Sequence, residues 1–410
     1  MNLEKGGTCG KCGICLTVCP VFKVLKEEQA SPRARIQLIK SFADNKLTSS
    51  PLLKELITKC LMCGNCAAIC PSGVDHESQF MEMRSQLSKQ QGERPEIKGL
   101  VYLLAGEQRL RLAAGVARLG QEIIPDSFQQ AHDLGNIPIR KYPKLNRKPF
   151  RKTVPEINPP KGKERGTVLY FTGCATNHLY AETGEATLQL LTSMGYRVII
   201  PKKQTCCSIP MLLHGGVAQA QKNIEQNIAC LHQQDIDAII VDCPTCGAAL
   251  KNKFPAMMRK YGLEDGPAME VSAKVVDLMS FVHDHLDQLD RKKIATRLAG
   301  QKPVTYHTPC HLKNNFISAA RVLEEIPEIE YLPAPDSTAC CGGGGTFFYE
   351  YPEVSAKMGS SKIENARKTG AKIWLTDCPV CRLNLSGQLS DDDTITMMHP
   401  ARYLAMLFDL

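Results

Sequence analysis

Four cysteines crowd into the run TCGKCGICLTVCP, residues 8–20, and a second run, KCLMCGNCAAICP, follows at 59–71. Both read C-x2-C-x2-C-x3-C-P, with Pro20 and Pro71 closing them. No other feature of the chain restricts its folding as much, because thiols at this spacing must converge. Soft thiolates select iron–sulfur clusters, zinc or Cu(I). A zinc site draws its four ligands from two C-x2-C pairs separated by a longer loop. Three cysteines at single-turn spacing suit a cubane, and the fourth cysteine of such a run ligates the other cluster of a two-cluster domain. One [4Fe-4S] cluster is therefore expected on Cys9, Cys12, Cys15 and Cys70, and a second on Cys60, Cys63, Cys66 and Cys19. A zinc-stapled mini-domain is the rival reading.

The segment between the runs, SPRARIQLIKSFADNKL, reads as a helix: Ser31 can cap it, Pro32 suits the first turn, and Ile36, Leu38 and Ile39 form an apolar side. Residues 76–90 look like a closing helix. A helical insertion of this kind resembles the ferredoxin module of succinate-dehydrogenase-like and heterodisulfide-reductase-like subunits. Residues 1–94 are thus expected to form a helical double [4Fe-4S] domain.

Residues 95–165 are read as a helical segment and a basic linker. The stretch EQRLRLAAGVARLGQEII is amphipathic, and Leu110, Leu112, Ala113, Val116 and Leu119 are expected to face a core. A membrane-surface helix is the sharper alternative. Between Arg140 and Arg165 ten lysines or arginines face two acids, Glu156 and Glu164, a net charge equal to the +8 of the whole chain. A solvated linker is the simplest reading. The segment could also lie along an acidic partner subunit or touch anionic lipid. Nucleic acid is not expected, since no aromatics interleave with the charges.

From residue 166 the chain repeats itself. VLYFTGC ends at Cys174, TCCS holds Cys206 and Cys207, and DCPTC holds Cys243 and Cys246. The second round has VTYHTPC ending at Cys310, ACCGGGG with Cys340 and Cys341, and DCPVC with Cys378 and Cys381. A fixed offset of this kind marks a duplicated domain, here 166–300 and 301–410. Short β-rich runs (168–171, 198–200, 238–241, then 304–306, 329–332, 372–375) alternate with helical stretches. That alternation predicts α/β halves with parallel sheets, and ligands gather beyond the carboxyl ends of such strands. Five thiols per half are expected around one point. Adjacent cysteines suit different irons of one cluster better than one zinc, and Gly342 to Gly345 let backbone N–H groups approach. His307 and His311 are read as supporting or capping groups, with direct ligation the alternative, Asp242 and Asp377 as caps of the following turns, and Cys230 as a spare thiol.

The duplicated motif resembles the CCG, or cysteine-rich, domain. With the double loops ahead of it, the chain is similar to the iron–sulfur subunits of glycolate or lactate dehydrogenase. Related proteins are the third subunit of anaerobic glycerol-3-phosphate dehydrogenase and subunits of heterodisulfide reductase. SPRARIQLIK resembles the Pro-Arg-Gly-Arg-Ile stretch of the glycolate/lactate group, with Ala34 in place of the usual glycine. Ser208 also departs from the motif, where glycine should follow Cys207, while the second motif is complete. The complete second motif favours a lactate-type or unassigned 2-hydroxy acid over glycolate.

The resemblance implies an oxidoreductase subunit with two [4Fe-4S] clusters and one or two further, non-cubane clusters on the CCG cysteines. It implies an FAD-containing partner that oxidises the 2-hydroxy acid, and a quinone or other carrier as acceptor. No G-x-G-x-x-G opens a βαβ unit here, so flavin is not expected on this chain. A disulfide reductase of the heterodisulfide type is the alternative. The start of the chain lacks a signal-peptide pattern, and nineteen cysteines suit a reducing compartment. A cytoplasmic protein, with peripheral contact at the inner membrane face, is expected.

Overall fold

The computed structural model describes residues 8–123, 133–134, 137–138, 141–296, 303–312 and 316–410. Ser31 Oγ accepts from Ala34 N at 3.1 Å and opens the helix Pro32–Ala43 with Pro32 in its first turn, as the sequence predicts. Two arginines of this helix fasten both cysteine loops. Arg33 donates to Lys11 O (3.2 Å) in the first loop and pairs with Glu28. The fully buried Arg35 donates to Leu56 O at 2.8 Å and to Lys59 O, just before the second loop. From the closing helix His76–Gln91, Arg84 donates to Thr58 O (2.9 Å) and Cys60 O (2.7 Å). Charge-assisted bonds of this kind contribute roughly 1.5–3 kcal/mol each. Ile36, Ile39, Leu53, Ile57, Phe80 and Met83 form the apolar core beside them, and that core runs on without a break into Phe171, Met211 and Leu212 of the following half.

A small antiparallel pair, β1 (Asp133–Leu134) and β2 (Ile137–Pro138), precedes the main sheets. The first half carries β3 (Ile157–Asn158), β4 (Gly166–Phe171), β5 (Tyr196–Ile199), β6 (Ala238–Val241) and β7 (Val275–Asp277) in the order β3-β5-β4-β6-β7. All pairings are parallel except that of β3 with β5. The second half carries β8 (Val304–Tyr306), β9 (Ile373–Leu375) and β10 (Thr396–Met398), parallel in the order β10-β9-β8. The strand expected over 329–332 is reduced to one parallel bridge, Tyr331 to Val304. Pro333 and Pro335 remove the donors a longer ladder would need. The bridge stands where β5 stands in the first half, so both halves repeat one strand order.

The halves exchange their last helices. Pro400–Leu407 packs on Ala181–Ser193 of the first half, and Leu278–Asp284 packs on Ala319–Glu324 of the second. One core therefore contains Leu190, Leu191 and Val282 together with Val304, Leu404 and Phe408.

Two expectations for 95–165 are corrected. Helix Glu107–Ile123 buries none of its residues. Val116 is 73% exposed and Leu112 66%, with Leu119 and Ile123 also exposed; Leu110 packs against the core, but no described residue covers the rest of the stripe. The basic segment is not a free linker either. Lys141 pairs with Asp391 of the second half. Asn146 then bonds the Thr176 and Asn177 carbonyls, and β3 joins the first sheet. Arg151 is 3% exposed, bonding Thr172 Oγ1 (3.0 Å), Gln204 O (3.0 Å) and Glu107 (2.9 Å). Lys144, Arg147, Lys148 and Lys152 remain exposed, and Arg140 lies outside the described residues.

Candidate metal centres

In the first loop Lys11 (φ 58°) and Gly13 (φ 88°) turn the chain so that a short 3-10 turn, Ile14–Leu16, carries Cys15 inward. Cys19 then caps the helix Pro20–Leu25, its Sγ accepting from Phe22 N at 3.5 Å, and Pro20 takes the position where no N–H is needed. In the second loop Met62 (φ 53°) and Gly64 (φ 75°) do the turning. The last cysteine of the first run thereby joins the second run's thiols. Cys19 lines one apolar cavity with Cys60, Cys63 and Cys66. Cys15 stands near Cys9, Cys19 and Cys12, and a Cβ at Gly10 would stand 3.8 Å from Ser72 Oγ, two residues beyond Cys70.

In the repeated halves the first cysteine follows β4 or β8, and the C-x2-C pair follows β6 or β9. Each set of five was expected around its own point. The structure brings both sets to a single cavity of about 140 Å³. Cys174, Cys207, Cys243 and Cys246 line it from one half, and Cys310, Cys340, Cys341, Cys378 and Cys381 from the other. Cys206 lies behind, buried against Cys174 and Cys207. Cys63 lines this cavity as well as the ferredoxin-type one and contacts Cys310. The expected N–H donors are present: Gly342 N and Gly343 N each approach a thiol, Cys340 and Cys341 respectively, at 3.4 Å. Ser208 takes the left-handed conformation of the missing glycine (φ 73°, against 82° at Gly342), and its hydroxyl donates to Ala220 O.

Asp242 and Asp377 do not cap. The helices after them start at Pro244 and Pro379 with no side-chain cap. Asp242 accepts instead from Tyr170 Oη (2.5 Å) and Thr176 Oγ1 (2.7 Å), and Asp377 accepts from Tyr306 Oη. Burial pushes the two carboxyls up, to about 6 and about 7. Sequence reasoning missed both tyrosines, although each stands four residues before the first cysteine of its half. His311 bridges the parts, Nδ1 to Thr245 Oγ1 (2.9 Å) and Nε2 to Met62 O (3.4 Å). Cys230 Sγ donates to Asn227 O on its own helix, outside both cavities.

The donor sets fit iron–sulfur clusters. Burial, then neighbouring thiols, push Cys19 and Cys66 up. Hydrogen bonds that Cys246 and Cys381 donate to neighbouring thiols, then burial, do the same to these two. Cys341 and Cys381 Sγ stand 2.9 Å apart. Buried thiols this crowded cannot ionise together unless cations compensate them, and metal binding is what deprotonates such ligands. Ten thiols at one cavity exceed the four ligands of a zinc ion.

Residues 6–74 match the 4Fe-4S dicluster domain, and residues 168–251 and 304–386 each match the cysteine-rich CCG domain. A "Lactate utilization protein A" of Geobacillus kaustophilus is 30% identical, aligning over 58% of this chain and 98% of its own length. The chain belongs to this family of iron–sulfur proteins. A "Probable glycolate oxidase iron-sulfur subunit" of Bacillus subtilis is 28% identical over 92% of this chain and 87% of its own. One component of the dihydromethanophenazine:CoB–CoM heterodisulfide reductase of Methanosarcina barkeri is 24% identical over 94% of this chain and 90% of its own. Iron–sulfur clusters are accordingly the cofactors of both parts of this member, and its role is redox. No described helix is long and apolar enough to cross a membrane.

Proposed function

We propose that this chain is the electron-carrying subunit of a flavin-dependent 2-hydroxy acid dehydrogenase, with lactate or glycolate as the substrate class. An FAD-containing partner oxidises the acid, and a quinone or other carrier takes the electrons. Cys9, Cys12, Cys15 and Cys70 hold one cubane, and Cys60, Cys63, Cys66 and Cys19 the other. Cys174, Cys206, Cys207, Cys243 and Cys246, with Cys310, Cys340, Cys341, Cys378 and Cys381, hold the remaining iron. Bound there, the clusters supply one-electron steps between a two-electron donor and the acceptor. The observation that carries this reading is Cys63, which lines both cavities, so that the ligand set of the second cubane and the CCG thiols adjoin in one series. Arg33, Arg35 and Arg84 hold the loops of that series in place without touching a substrate. The test is anaerobic reduction of the protein co-purified with its native partner. Lactate or glycolate should bleach the cluster absorbance of the complex and leave the isolated chain unchanged. Bleaching by neither acid in an intact complex sinks this reading.

The shared cavity favours a second reading, reduction of a disulfide between the two thiol sets. The isolated chain, chemically reduced, would then be reoxidised by a disulfide without any flavoprotein.

A further inference from the structure

His307 has no role in the relay just described, yet its placement is specific. It lies on the turn after β8, fully buried. Its Nδ1 stands 3.2 Å from Ser337 O. That carbonyl is itself fixed by Thr308 N (3.1 Å) and Lys362 Nζ (3.0 Å). A carbonyl can only accept, so Nδ1 carries the proton, and in the neutral ring the Nε2 lone pair is free. Nε2 meets no N–H or O–H group; the ring's side-chain partner is the thiol of Cys341, and the imidazole lies within 4.8 Å of the Sγ atoms of Cys341 and Cys381. A thiol is only a weak donor, so the protein alone satisfies this buried nitrogen weakly.

Two other imidazoles stand beside these thiols, and both have their nitrogens engaged. His311 bonds Thr245 and Met62, while His399 bonds Asp242 O and Ala401 N. The first half offers no counterpart, because the residue at the same distance before Cys174 is the buried Phe171.

We propose that His307 Nε2 is an iron ligand in the second cysteine-rich half, which makes the two halves inequivalent. An imidazole held through its other N–H by a backbone carbonyl is the usual arrangement of a ligating histidine, and imidazole suits iron. A neutral imidazole adds no negative charge to the iron, whereas a sixth thiolate at this position would, and would lower the potential of the centre. This rests on the second half holding iron, not on the identity of the hydroxy acid.

The test uses the full-length protein, purified anaerobically and labelled with [15N]histidine. Pulsed EPR of the reduced protein should show one strongly coupled histidine nitrogen. His311→Gln should keep that coupling. His307→Phe, which copies the first half, should lose it, and His307→Cys should retain the iron, lose the coupling and lower the potential of that centre. Only weak nitrogen couplings in the wild type would reduce His307 to a hydrogen-bond donor and overturn the proposal. So would a strong coupling lost in His311→Gln or kept in His307→Phe, or iron analysis showing none in the second half. Because the labelled wild type and His311→Gln decide the matter, the test survives if His307→Phe fails to assemble.

Discussion

Ser208 and Gly342 occupy the same place in the two halves and adopt the same left-handed backbone, but their surroundings differ. A non-glycine residue there costs about 1–2 kcal/mol, and the Ser208 hydroxyl recovers about 1 kcal/mol through Ala220 O. Ser208→Gly should therefore change stability by less than about 1 kcal/mol and leave the iron content unaltered. A Cβ at Gly342 would lie 2.8 Å from Ser355 O, which is backbone and cannot swing away. Gly342→Ser should lower stability by about 2 kcal/mol or more, seen as a shifted midpoint in anaerobic denaturant unfolding. Equal effects at the two positions would contradict this account. The crossed loops make a second prediction at this scale. Since Cys19 shares its cavity with Cys60, Cys63 and Cys66, Cys19→Ser should abolish the same EPR signal as Cys66→Ser. Cys70→Ser should match Cys12→Ser instead. That Cys19 joins Cys60, Cys63 and Cys66 was legible because such a cluster fixes its donors by spacing. Arg33 and Arg35 were visible only as part of a resemblance, since no local pattern says which carbonyls a side chain will reach.

Among the elements, helix Glu107–Ile123 shows how far periodicity goes. The stripe of Leu112, Val116 and Leu119 was readable, but a pattern of period 3.6 defines a face and says nothing about what covers it. The basic segment shows the same limit from the other side. Ten cations in a proline-rich stretch read as solvated, yet Arg151 is an interior residue whose partner, Glu107, lies far back in the chain. The two kinds of cation should respond differently to charge reversal. Lys144, Arg147 and Lys148 changed together to Glu should leave the unfolding midpoint nearly unchanged. If the segment meets an acidic partner subunit, the triple change should weaken association most at low salt, where screening is least. Arg151→Glu should cost about 3–5 kcal/mol, because it sets a second buried carboxylate against Glu107. A triple variant as unstable as Arg151→Glu would mean that the exposed cations are structural after all.

At the scale of the molecule, the duplication was legible from cysteine spacing, and the strand order follows from it. The meeting of the two halves was not, because helix exchange is a long-range pairing with no local signal. Two measurements bear on that joint. His214 ends the helix Ile209–Leu213, and its Nε2 meets Thr346 Oγ1 of the second half at 2.7 Å. Burial first, then Arg84 and Lys54, lower its pKa to about 3. In the window between about 3 and the ordinary value near 6.5, the unfolded chain binds a proton that the folded one does not. Stability should thus fall as pH drops below 6.5, by about 2 kcal/mol at pH 5 from this group. His214→Gln, which cannot charge, should flatten that slope by about one proton.

The exchanged helices carry the last prediction. Helix Pro400–Leu407 covers Ala181–Ser193, and Leu278–Asp284 covers Ala319–Glu324, so neither half closes its apolar core alone. Losing either cover would expose several large aliphatic side chains at roughly 1.5–3 kcal/mol each, a large fraction of the stability of an ordinary domain. The halves should unfold as one unit. Trp374, the single tryptophan, is buried on β9 of the second half. Its fluorescence therefore reports that half, while far-UV circular dichroism reports the whole chain. The two probes should give one coincident denaturant transition. A tryptophan transition well separated from the loss of helix would show that the halves stand independently. The shared cavity would then be a contact between separate domains, and its thiol sets could part without unfolding either one.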